Sequence, residues 1–151
     1  MTVFAGEGYP SSEVMLRDVN AYLIRHGARP LECVRKTPCG KPVCDNAYLS
    51  ITHTGTKILI AVASCGVGID TERSDRPVSI AGMGIAEWTA YEAYVKLRGD
   101  GIKLSEIRGG VKIPEVRYMR IYDGYTTAVC GGDGNCEVVY LQNVDSSPRV
   151  Y

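Results

Sequence analysis

The 151-residue chain lacks net charge: 17 Lys and Arg balance 17 Asp and Glu. Nothing draws it as a whole to nucleic acid or to an anionic bilayer, so any phosphate must be met by individually placed cations. Long apolar runs are missing too. None approaches the roughly 20 residues that span a bilayer, and no cationic start followed by an apolar stretch reads as an export signal. The expectation is a soluble, cytoplasmic protein with no nucleic-acid or membrane partner. Among the six cysteines, Cys33, Cys39, Cys44, Cys65, Cys130 and Cys136, no two form a CxxC pair. A disulfide framework and a common zinc module are both disfavoured, which leaves reduced thiols, with Cys65 and Cys130 closing apolar strands as small hydrophobes. A Cys39, Cys44, His53 cluster has spacings that follow no common structural zinc pattern. Nucleotide loops are absent as well. Gly131-Gly132-Asp133-Gly134 has no lysine and hydroxyl behind it and runs into a strand, and Gly82-Met83-Gly84 lacks the third glycine and the preceding strand.

What is present suffices for one core, since 45% of the residues are hydrophobic, and a single domain over 1–151 follows. The first ten residues, with two glycines and a proline, read as a loop. Apolar periodicity behind Ser11 and Ser12 predicts a helix to about Arg25, stopped by Gly27 and served at its C-terminus by His26. A short strand is expected over 31–34 and a cation-bearing loop over 36–42. Strands at 48–52 and 58–64 flank a turn at 53–57, and 67–72 continues in extended form. A second helix covers about 85–98 and ends at Gly99-Asp100-Gly101. Three strands, 116–122, 125–130 and 137–141, read as a meander, and the tail from Asp145 reads as loose. The pattern is α+β, with strands and one helix appearing twice, in halves of about 12–72 and 73–144. No residue-level repeat or low-complexity segment accompanies them.

Chemistry concentrates in two segments. Asp70 and Glu72 close the apolar run Val67-Gly68-Ile69, and their spacing of two puts both carboxylates on one face of a strand, where a hard cation can take both. Trp88, Glu92 and Lys96, four apart, form one stripe of the second helix. Singly, such residues are ordinary surface or core. Together they suit a magnesium ion that leaves most of its positions to water and phosphate. His53 beside Thr52, and Lys41 between Gly40 and Pro42, add donors at turns.

Read in order, Gly40-Lys41-Pro42, Ser50-Ile51-Thr52-His53-Thr54-Gly55, Val67-Gly68-Ile69-Asp70-Thr71-Glu72, Trp88-Thr89-Ala90-Tyr91-Glu92-Ala93-Tyr94-Val95-Lys96 and Asp123-Gly124-Tyr125-Thr126-Thr127-Ala128-Val129-Cys130 resemble the 4'-phosphopantetheinyl transferases of the surfactin-synthetase-activating type. The resemblance runs from about residue 12 to about 141. It implies that family's fold, two pseudo-repeated halves each with an antiparallel sheet and a packed helix. It implies Mg²⁺-dependent transfer of the phosphopantetheine arm of coenzyme A to a serine of an acyl or peptidyl carrier protein, releasing 3',5'-ADP, by a monomer or a dimer. Asp70, Glu72 and Glu92 would be the magnesium carboxylates, with Glu92 also helping to deprotonate the carrier serine. Lys96 would stand beside the pyrophosphate, and Lys41, Thr52 and His53 would contact coenzyme A.

The chain also departs from the pattern. Tyr91 stands where the family has a lysine, and Thr52 and Thr54 replace serines. Only fifteen residues separate Glu72 from Trp88, where the family carries a longer insert that helps receive the carrier. Arg25, Arg29, Arg35 and Lys36 match its 3'-phosphate cations only loosely. A homologue that binds coenzyme A or a carrier without turnover is therefore the alternative, and a cysteine-rich metal module is a third reading.

Overall fold

The computed structural model describes residues 1–78 and 82–143; the tail from Asp145 lies outside the described residues. The elements are β1 (Thr2–Glu7), α1 (Ser12–Arg25), β2 (Arg35–Lys36), β3 (Pro42–Val43), β4 (Tyr48–Thr54), β5 (Lys57–Ala63), β6 (Val67–Arg73), α2 (Ile85–Arg98), α3 (Leu104–Gly109), β7 (Val116–Met119), β8 (Tyr125–Gly131) and β9 (Glu137–Gln142). The protein is α+β. Among the described residues no helix is long and apolar enough to cross a membrane.

Both long helices have the ends their sequence signals dictate. The Ser11 hydroxyl accepts from the Val14 N–H of α1, and His26 at the other end stacks on Tyr22 at 3.9 Å. At α2 the Glu87 carboxylate accepts from the Gly84 N–H at 2.9 Å, while Gly99, at φ 76°, closes the last turn on the Val95 carbonyl. These are the N-terminal carboxylate and left-handed glycine expected at helix ends.

One sheet runs β4-β5-β1-β9 and a second β6-β8-β7, with β2-β3 as a small ribbon. Phe4, Ile58 and Ile60 pack under Met15 and Val19 of α1. Their opposite-facing neighbours Val3, Ala5, Leu59 and Ala61 meet Val67, Ile69 and Val129 of the second sheet. Beyond that sheet, Ala128 and Cys130 pack on Ala90 and Ala93 of α2. Strict alternation therefore builds four layers, α1, sheet, sheet, α2.

Several sequence expectations are corrected. Residues 2–7 are an inner strand of the first sheet, with Val3, Phe4 and Ala5 essentially unexposed. Gly6, read as loop punctuation, instead makes room for the Tyr9 ring, whose nearest carbon would lie 2.7 Å from a Cβ there. The stretch 31–34 is not a strand, because Cys33 takes φ 51°; Arg35 and Lys36 pair with Val43 and Pro42 instead, across the two ends of the expected 36–42 loop. β4 runs through His53 to Thr54, leaving Gly55-Thr56 as the turn. The third strand of the expected meander crosses to the other sheet and pairs parallel to β1, so that sheet is mixed rather than antiparallel. Gly131 and Gly132, at φ 72° and 76°, turn the chain there, and the Arg117 guanidinium holds the Gly131 and Gly134 carbonyls. Each sheet thus draws one strand from the other half: β9 joins the first and β6 the second. Cys65 is exposed, unlike buried Cys130, and all six cysteines are free.

Candidate metal centre

β4 and β6 meet along the seam between the sheets, stitched by side chains. The Ile69 N–H donates to Ser50 Oγ at 3.0 Å, and Thr52 Oγ1 donates to Asp70 Oδ1 at 2.9 Å. On β6, Gly68, Asp70 and Glu72 share the face toward α2. Gly68 sets the distance: a Cβ there would lie 2.0 Å from the Ala93 carbonyl oxygen and 2.5 Å from the Leu97 nitrogen. The helix consequently lies close enough to the strand for its side chains to share a site with Asp70.

There the expected residues converge. Asp70, Glu72 and Glu92 present carboxylate oxygens within 4.8 Å of one another, the one such His, Cys, Asp and Glu group among the described residues. A Cys39, Cys44, His53 cluster does not form among them. Asp70 is only 3% exposed, and its Oδ1 also accepts from Lys96 Nζ at 2.6 Å. Asp70 Oδ2 and Glu92 Oε2 are buried without a hydrogen-bond partner. Buried carboxylate oxygens left bare are costly, and a divalent cation between them would satisfy both, so the donor set fits a hard, oxygen-seeking ion. Burial pushes the Glu92 carboxyl up to about 7, the nearby Asp70 charge adding to the effect. Burial also raises Asp70, against the opposing pull of Lys96.

Lys41 lies at the C-terminal end of α2, where its ammonium donates to the Leu97 carbonyl at 2.6 Å, as cations do at helix C-termini. Burial lowers its pKa. Lys41, Ser50 and Lys96 line one cleft of about 200 Å³, and Lys41 also borders a second of about 410 Å³ running along 42–49 to Ser64 and Val67. Two of the expected cations therefore share a cavity beside the carboxylates. His53 is brought no such company. It is exposed, and alternation along β4 sends it to the α1 side, opposite Thr52. Thr52 itself acts through Asp70. Arg35 pairs with Asp45 at 2.5 Å and Lys36 with Glu13 at 3.5 Å, while Arg25 and Arg29 are exposed.

Tyr91 is wholly buried among Trp88, Val95 and Ile107. Its hydroxyl accepts from the Lys103 N–H at 3.1 Å and donates to the Lys103 carbonyl at 3.3 Å, tethering the segment that follows α2. Tyr91 is thus a core anchor. Trp88 of the expected stripe joins the same cluster. Sequence reasoning missed Arg76, whose Nη1 donates to Glu72 Oε1. Its one signal was a position four residues after Glu72, in a segment with no periodicity to orient it.

No family model and no curated protein matches this chain.

Proposed function

We propose that this protein transfers the 4'-phosphopantetheine group of coenzyme A to a serine of an acyl or peptidyl carrier protein, in an Mg²⁺-dependent reaction that releases 3',5'-ADP, on a phosphopantetheinyl-transferase-like fold. The observation that carries the reading is the meeting of Asp70, Glu72 and Glu92 from β6 and α2, with two bare buried oxygens and the Lys96 ammonium alongside. Asp70 Oδ2, Glu72 and Glu92 would hold the ion. Bound Mg²⁺ supplies charge neutralisation on the pyrophosphate.

The protein's own residues supply the rest. The serine oxygen bonds to the phosphorus that carries the pantetheine arm, the bond from that phosphorus to the ADP oxygen breaks, and the serine proton leaves to a base. Glu92, at the meeting of the carboxylates, would help take that proton. Lys96, oriented by Asp70, stands where negative charge grows on the departing ADP. The clefts on either side of Lys41, of about 200 and 410 Å³, are of a size to hold parts of a nucleotide. Sheets that each carry a packed helix support the fold assignment.

A second reading, a homologue that binds coenzyme A or a carrier without turnover, is favoured by Tyr91, which is locked in the core and supplies no cation. One assay separates the two. The protein is incubated with Mg²⁺, fluorescent coenzyme A and a panel of apo carrier proteins; transfer predicts covalent label on at least one carrier and none in EDTA. Measurable coenzyme A binding with no label on any carrier would overturn the transferase reading in favour of the second.

A further inference from the structure

Glu72 differs from the other two carboxylates in how it is occupied. Asp70 gives Oδ1 to Thr52 and Lys96 and keeps Oδ2 bare, and Glu92 keeps Oε2 bare. A cation between them would take oxygens to which no donor is assigned. Glu72 Oε1 is already taken by the Arg76 guanidinium. We infer that Arg76 is a resident counter-ion that competes with the divalent cation for Glu72 and is displaced when the cation binds. The inference rests on the metal centre proposed above.

The turn that delivers Arg76 is pinned by its backbone. The Ser74 N–H donates to the Gly124 carbonyl at 2.9 Å and the Arg76 N–H to the Arg73 carbonyl at 3.0 Å. The neighbouring Arg73 guanidinium is clasped by both oxygens of Asp75, at 3.0 and 2.6 Å. Among the described residues the Arg76 side chain is hydrogen-bonded only to Glu72. It is 53% exposed and borders an open cavity of about 490 Å³ with Thr54, Glu72, Arg73, Asp75 and Pro77, so it has room to swing away while the turn stays in place. The energies run the same way. Glu72 is shielded but the Arg76 guanidinium is half exposed, so solvent screens the pair, whereas a small divalent ion in the shielded site is held by several oxygens at once. Arg76 therefore moderates metal affinity without abolishing it. In the metal-free protein it and Lys96 offset the crowded negative charge.

Mn²⁺ binding to the full chain, read from the loss of the free-ion signal in electron paramagnetic resonance, tests this in the wild type, Arg76→Ala and Arg73→Ala. Arg76→Ala should bind about two- to fivefold more tightly, the range an exposed ion pair is worth. Arg73→Ala removes an equal charge from the same turn without freeing Glu72, and should change affinity by less than about twofold. Unchanged or weaker binding by Arg76→Ala, or an equal gain in Arg73→Ala, overturns the inference while leaving the metal centre standing. Binding by Arg76→Ala alone supports the inference in its strongest form. No binding by any of the three overturns both. Arg76→Gln, whose fold is checked by circular dichroism, gives the same comparison should the alanine variant misfold.

Discussion

Glu92 carries a pH dependence that the metal-free protein should display. Its carboxyl is raised from 4.5 to about 7 by burial and by Asp70. Between those values the folded chain keeps a proton that the unfolded chain has released, so ionisation opposes folding and stability falls as pH rises from 4.5 toward 7. In EDTA, Glu92→Gln should therefore melt higher than the wild type at pH 8 and almost equally at pH 5. The expected gain is about 2–4 °C for each kcal/mol relieved in a chain of this size, and equal melting temperatures at pH 8 would contradict the burial argument. Asp70→Asn tests the metal directly. Saturating Mg²⁺, at about 100 times its dissociation constant, should raise the wild-type melting temperature by about 5–10 °C and leave the variant unmoved. Asp70, Glu72, Glu92 and Lys96 were legible in the sequence because strand and helix periods fix which side chains share a face. Lys41 was named there too, but its hold on the Leu97 carbonyl was not, nor the anchoring of Tyr91 to the Lys103 backbone or the reach of Arg76 to Glu72, because these depend on partners far along the chain or on a turn without a period.

At the scale of elements, the site depends on how closely α2 approaches β6. Gly68 permits that approach, since a Cβ there would overlap the Ala93 carbonyl. Gly68→Ala must push the helix outward, and overpacking of this kind costs about 1–3 kcal/mol. The variant should lose both that stability and most of its Mg²⁺-induced gain in melting temperature; a wild-type response would mean that the helix position does not set the metal geometry. α1 and α2 were legible to within about a residue, because Ser11, Gly27 and Gly99 punctuate them. β1 was not, since two glycines and a proline near it mimic a loop and its pairing with β5 lies fifty or more residues away. β9 was legible as a strand and misplaced as a neighbour. Turn glycines announce a reversal without naming the sheet that receives the chain. α3, six residues held by Ile107 under Trp88 and by the Arg98–Glu106 pair at 2.9 Å, is too short to carry a period of its own.

At the scale of the whole molecule, β6 and β9 each complete the other half's sheet. Neither half keeps its core if the other unfolds, so urea should produce a single transition. Trp88, the one tryptophan, reports on α2 at the far side of the second sheet, while circular dichroism reports on both sheets. Coincident midpoints are expected, and separate ones would mean that the halves are independent. The same interleaving places β4 beside β6 and so brings Lys41, Thr52 and the carboxylates to one seam. A crystal of the protein grown with Mn²⁺ and coenzyme A examines that seam most directly. The expected result is an anomalous peak bounded by Asp70 Oδ2, Glu72 and Glu92, with the pyrophosphate on its open side and the nucleotide in the clefts beside Lys41. A site empty of metal, or coenzyme A bound away from Lys96, would contradict it.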